Sequence, residues 1–129
     1  MKEQLISMAK QAMENAYAPY SGYRVGAALL AADGRIFTGC NVENASFSPT
    51  MCAERVAFGK AISEGCREFT ALAVCGGKDG EINQKCTPCG VCRQVISEFC
   101  KGDFPIYMTD GTAIEMRTLE QLLPEGFCL

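Results

Sequence analysis

The sequence predicts an α/β fold, a mixed five-stranded sheet held between layers of helix in a three-layer α/β/α sandwich. Three observations carry this. Residues 69–75, Phe-Thr-Ala-Leu-Ala-Val-Cys, are apolar nearly throughout, as expected of a strand covered on both faces. Segments with helical periodicity stand before and after it in the chain. Ala32-Asp33-Gly34 and Thr109-Asp110-Gly111-Thr112 are links too short for a crossover, so each joins antiparallel strands.

In order, Leu5, Ala9, Ala12, Met13 and Ala16 recur at helical spacing and Pro19 follows as a stop, so the first helix ends near Tyr17. Strands at 25–31 and 35–41 flank the first turn, where Gly34 accepts positive φ without steric cost. After the loop 42–49, Thr50 caps a helix that runs through Gly59 to about Glu64, and Gly65 ends it. Ala53, Val56, Ala57, Ala61 and Ile62 form its buried face. The strand 69–75 is central.

A loop 76–87 leads to a helix from Pro88 to about Cys100, with proline in the first turn where its missing N–H is not needed. Val91, Val95, Ile96 and Phe99 supply its core stripe. Strands at 105–108 and 113–117 and a short helix at 118–123 complete the order αββαβαββα. Both cysteine-bearing helices follow strands, so their N-termini can meet at one sheet edge. Residues 1–129 are expected to form one catalytic domain, with no linker, repeat or low-complexity segment.

At 129 residues the chain can bury a core without a disulfide or a structural metal, so a metal in it is expected to be chemical rather than architectural. A net charge of −3 and a pI near 5.0 give no footprint for nucleic acid or an anionic membrane, which leaves a small molecule as partner. The start lacks a signal-peptide core and no apolar run could span a bilayer, so a cytoplasmic chain with reduced thiols is expected. There are nine cysteines and no histidine, so metal ligation and proton transfer fall to thiolates and carboxylates.

Two stretches bring these together, Ser48-Pro-Thr-Met-Cys52-Ala-Glu54-Arg55 and Thr87-Pro88-Cys89-Gly-Val-Cys92-Arg93-Gln94. Cys89 and Cys92 lie three apart on one helix, a spacing that suits one tetrahedral ion, and Cys52 supplies a third sulfur. They read as a Zn2+ site with an open fourth position. Residues two apart on a helix point roughly 200° away from each other, so Cys52 and Glu54 converge only if both sit in the first turn. Glu54 is the one proton carrier in the motif. Three thiolates and Zn2+ sum to 2 − 3 = −1, a charge that Arg55 and two helix N-termini would offset. A closed structural site with Cys86 as fourth ligand stays open as an alternative, because Cys86-Thr-Pro-Cys89 is itself a C-x-x-C. Cys40, Cys66, Cys75, Cys100 and Cys128 read as small buried hydrophobes, and Arg93 as a solvated or interface arginine. On the residues alone, Asn41 and Glu43 are as readily polar loop residues as ligand contacts, and Tyr23 reads as packing.

Cys52-Ala-Glu54 followed by Pro88-Cys89-x-x-Cys92 resembles the zinc deaminase signature. The chain is similar over essentially its whole length to small cytidine deaminases, including Ala18-Pro-Tyr-Ser-Gly-Tyr-Arg-Val-Gly-Ala-Ala, Gly39-Cys-Asn-Val-Glu-Asn-Ala and Cys92-Arg-Gln-Val-Ile. The resemblance implies hydrolysis of cytidine and 2′-deoxycytidine to the uridine forms and ammonia, in pyrimidine salvage. It implies that Glu54 takes a proton from water at the zinc, delivers it to N3 of the ring and helps the amine leave. It also implies Asn41 and Glu43 at the sugar hydroxyls, with Tyr23 and Ala53 near the substrate. Members with an all-cysteine site are homotetramers whose sites borrow residues from neighbours, which by position would be Ala45, Phe47 and Phe127. Phe47 stands where tyrosine is often found, so this chain lacks that hydroxyl. A deaminase of a modified cytosine nucleoside, of the blasticidin type, and a non-enzymatic zinc module are the competing readings.

Overall fold

The structure is a computed structural model that describes all residues 1–129. Its elements are α1 (Lys2–Met13), β1 (Tyr23–Ala31), β2 (Ile36–Cys40), α2 (Ala53–Ser63), β3 (Phe69–Lys78), α3 (Gly90–Phe99), β4 (Pro105–Thr109), β5 (Ile114–Thr118) and α4 (Leu119–Leu122). The sheet order is β2-β1-β3-β4-β5, with β3 at the centre as expected. β3 and β4 are parallel, and every other pair is antiparallel, so the sheet is mixed.

Alternation along the strands sends side chains to opposite faces. Ala27, Leu29, Leu72 and Val74 face one core, where Ala53, Ala57, Phe58 and Ala61 of α2, Ile96 of α3 and Leu119 of α4 cover them. Ala28, Ala71, Ala73 and Cys75 face the other, covered by Leu5, Ile6, Ala9 and Met13 of α1. These are the three layers predicted. The deep apolar side chains Phe58 and Ile6 were not among the residues the periodicity picked out.

The helices begin and end differently from the sequence expectation, for reasons the hydrogen bonds give. α1 stops at Met13 rather than near Tyr17, because Tyr17 leaves the helix to bond Asn41 and Glu43 through its backbone N–H and carbonyl. Thr50 does not cap α2: Met51 bridges Val42, which keeps the chain extended one residue longer, and Cys52 becomes the N-cap. The Thr50 hydroxyl instead ties the preceding loop through Asn44 and Ser46. Pro88 likewise lies ahead of α3, whose N-cap is Cys89. Val91 is 59% exposed and Cys128 is exposed, so neither is the core residue expected, whereas Val95 and Phe99 do pack on the core. β3 runs on to Lys78, past the predicted end at Cys75. Gly65, with φ +89, follows the end of α2 as expected.

β2, β3 and β4 point the same way, because β1 is antiparallel to both its neighbours. The loops after β2 and β3 therefore leave from one end of the sheet, and each leads into a cysteine-capped helix. The meeting point is this end, not a lateral edge. α2 and α1 lie close enough to the sheet that glycine is needed beneath them: a Cβ on Gly39 would stand 2.4 Å from the Ala53 carbonyl oxygen, and one on Gly26 1.9 Å from that of Ala9. Gly26→Ala should lower stability by about 3 kcal/mol, because backbone must move to admit the methyl. Gly59→Ala, on an exposed turn of α2 with open space at Cβ, should raise it by about 0.5–1 kcal/mol. Urea midpoints of the two variants, moving in opposite directions from the parent, check both.

Candidate metal centre

The N-cap is the position where a helix leaves its first N–H groups without intrahelical partners. Cys52 caps α2 and Cys89 caps α3, both with extended backbone and neither with a side-chain capping bond. Both residues thus stand at positive helix ends, each end equivalent to about half a charge. Cys92, in the first turn of α3, is fully buried and completes a group whose sulfurs all lie within 4.8 Å of one another. Cys86 is not in that group, so the closed four-sulfur alternative is not what the chain assembles.

The spacing of the sulfurs tests whether a metal fits. Cys52 Sγ is 3.8 Å from Cys89 Sγ, which is 3.6 Å from Cys92 Sγ. Zn–S bonds of about 2.3 Å at the tetrahedral angle put neighbouring sulfurs about 3.8 Å apart. Three sulfurs at this spacing fit one tetrahedral zinc, and as three protein ligands they leave the fourth corner to a small molecule.

The surrounding charges act on the same sulfurs. Hydrogen bonding beside Cys92 and to Arg55 pulls the Cys52 thiol down to about 5, whereas the same partnership and burial push Cys92 up. A bound cation would favour the deprotonated form of both. Arg55 Nη2 lies 3.7 Å from Cys52 Sγ and donates to the Thr50 carbonyl at 3.0 Å. Its buried Nε has no partner in the protein.

Glu54 is the second residue of α2 and only 4% exposed. Burial holds its carboxyl up at about 7, the neighbouring Cys52 adding to the shift. A carboxyl poised there can both accept and give a proton near neutral pH. Because Cys52 is outside the helical turn, the opposed directions of positions i and i+2 do not separate it from Glu54. Cys86 is held protonated, at about 11, by burial and then by the charge of Glu54, and Tyr23 stands beside it.

The remaining predicted residues spread along the same end of the sheet. Asn41 spends one side-chain acceptor on the Val25 N–H and one donor on the Tyr23 carbonyl, which pins the start of β1 and leaves its amide a second N–H. Glu43 accepts from the N–H groups of Tyr20 and Ser21 and from the Ser21 hydroxyl, the last being the main reason its pKa is lowered. With Phe47, Tyr20, Ser21, Asn44 and Thr50 it lines a cleft of about 260 Å³. Sequence reasoning passed over Ser21, whose signal was its place in the Ala18–Ala28 stretch. Ala53 is buried as the first residue of α2, with an N–H the helix itself does not use. Ala45, Phe47 and Phe127 are exposed, the phenylalanines by 92% and 67%.

Comparison with known proteins agrees with this geometry. The family described as the cytidine and deoxycytidylate deaminase zinc-binding region matches residues 1–108. A cytidine deaminase of Sporosarcina psychrophila is 53% identical over 126 residues, 97% of this chain and 90% of that protein. One of Halalkalibacterium halodurans is 45% identical over 127 residues, 98% and 93% of the two chains. The crystal structure of cytidine deaminase from Burkholderia pseudomallei superposes with a TM-score of 0.90 at 44% identity, over 98% of this chain and 99% of that one.

Arg55→Ala should weaken zinc binding about 10–100-fold, since outer partners of metal ligands commonly contribute that much. Competition with a chelator of known affinity measures it, and an unchanged affinity would remove Arg55 from the metal's support. The sulfur triangle, the buried carboxyl beside it and the match over nearly the whole chain lead to one conclusion: the protein belongs to the cytidine and deoxycytidylate deaminase zinc-binding family.

Proposed function

We propose that this protein is a zinc-dependent enzyme that hydrolyses cytidine and 2′-deoxycytidine to uridine and 2′-deoxyuridine with release of ammonia, a pyrimidine-salvage reaction in the cytoplasm. The observation that carries the reading is Glu54: a carboxyl 4% exposed, held at about 7, next to a three-sulfur group that could hold a metal ion. A structural zinc module has no use for such a group, and burying it costs stability.

Zinc, when bound by Cys52, Cys89 and Cys92, supplies a Lewis acid that makes water nucleophilic near neutral pH. Glu54 accepts the proton that water gives up and passes it to ring N3 as C4 is attacked; it then takes the second proton, from the hydroxyl added at C4, and supplies it to the departing amine. The exchange balances: one water is consumed, and its oxygen replaces the nitrogen lost as ammonia. Arg55 holds Cys52 and draws charge from the sulfur. Asn41 offers its free amide N–H and Glu43 its carboxylate to the sugar hydroxyls, with Tyr23 and Ala53 against the base. The backbone bonds that fix Asn41 and Glu43 support this, because they orient both groups before substrate arrives.

The whole of 1–129 acts as one catalytic domain in a homotetramer, and Ala45, Phe47 and Phe127 reach the site of a neighbouring copy. Their exposure supports that reading, since large apolar side chains at 92% and 67% exposure gain from burial. No helix is long and apolar enough to cross a membrane, and nothing basic marks a nucleic-acid surface.

The test follows the fall in cytidine absorbance. The protein should turn over cytidine and deoxycytidine, a chelator should stop it, and Glu54→Gln should lower kcat by about 10²–10⁴-fold with one zinc per chain retained. Inert cytidine beside a reacting modified cytosine nucleoside would move the reading to the blasticidin type. Inertness to both would leave a zinc module.

A further inference from the structure

One charged side chain beside the cluster has no part in the mechanism above. Arg93 follows Cys92 directly, and sequence alone makes it a solvated or interface arginine. In the fold it is half-buried and bonded within the chain through two of its nitrogens. Its Nε donates to the Pro88 carbonyl at 2.8 Å and its Nη1 to the Leu122 carbonyl at 2.6 Å. The Pro88 side chain is fully buried, and its carbonyl belongs to the peptide that leads into Cys89. Leu122 is the last residue of α4, where carbonyls lack intrahelical partners. One planar guanidinium, with donors at fixed angles, therefore joins the approach to a metal ligand to the end of a different helix. The next residue repeats the tie, Gln94 Nε2 donating to the Phe127 carbonyl at 3.2 Å.

Cys89 is the ligand that most needs such support. It is the exposed one of the three, whereas Cys52 is half-buried with Arg55 on its sulfur and Cys92 is packed in the core. No side-chain bond fixes its cap position, so its sulfur goes where the backbone at φ −69°, ψ 169° sends it. A rotation of the Pro88–Cys89 peptide would swing that sulfur out of reach of the other two.

We propose that Arg93 is a positioning residue for the metal centre: it braces the Pro88–Cys89 peptide against the C-terminal end of α4, so that the Cys89 sulfur stands at ligand distance from Cys52 and Cys92. This rests on the zinc reading, and the experiment separates the two. Zinc per chain is counted in the parent protein first, and a parent that binds none overturns the zinc reading itself. Release of zinc to a chromogenic chelator is then timed for the parent, Arg93→Ala and Arg93→Gln. The glutamine amide nitrogen stands where Nε does, so Arg93→Gln keeps the bond to Pro88 and loses only the one to Leu122.

Arg93→Ala is expected to release zinc about 10–100-fold faster, with Arg93→Gln between it and the parent. The cobalt-substituted Arg93→Ala protein should show a shifted sulfur-to-metal charge-transfer band, which a loss of overall stability alone would not produce. If Arg93→Ala does not fold, Arg93→Gln carries the same two readouts. Parent-like release and an unchanged cobalt band, even with a lowered Tm, would overturn the proposal and leave Arg93 as a strut for α4.

Discussion

Three sulfur atoms held within 4.8 Å of one another are the constraint on which the rest of the structure depends. As thiolates they repel: Cys52 is pulled down to about 5, while the bond to Cys52 and burial push Cys92 up. A divalent cation resolves that conflict, and the fold is arranged to receive it. Two helix N-termini, one guanidinium and the bracing of Cys89 all bear on the same few cubic ångströms. Burial holds the neighbouring Glu54 carboxyl up at about 7.

The apolar architecture makes this convergence possible. β2 and β3 run in the same direction because β1 is reversed between them, so both following loops return their helices from one end of the sheet. α2 is fixed against β2 by backbone-to-backbone approach over Gly39, at the turn that carries Cys52 and Glu54. α3 is fixed by Ile96 in the same core that holds Phe58. The three cysteines therefore stand on elements whose position is set by packing against the sheet. Burial of Glu54 follows from the same geometry, since its neighbours Ala53 and Ala57 are packed against the sheet.

Strand identities, their order along the chain and the central place of β3 were legible in the sequence because apolar runs and glycine-bearing turns are local signals. So was the grouping of Cys52, Cys89 and Cys92, because a chain without histidine leaves few donors and the spacing Cys89-x-x-Cys92 is specific. Helix starts were not. Thr50 and Pro88 are sound local capping signals, but the bridge between Val42 and Met51, a contact across nine residues, holds the chain extended until Cys52. This tertiary override leaves Cys52, rather than Thr50, as the N-cap of α2. Arg93 was illegible for a similar reason: its partner Leu122 is 29 residues away, and no pattern in the sequence predicts a bond to a distant carbonyl.

X-ray absorption at the zinc edge tests the central claim most directly. The account predicts three sulfur neighbours at about 2.3 Å and one lighter atom at about 2.0 Å. Four sulfur neighbours, with Cys86 drawn in as the last, would describe a closed structural site and contradict it.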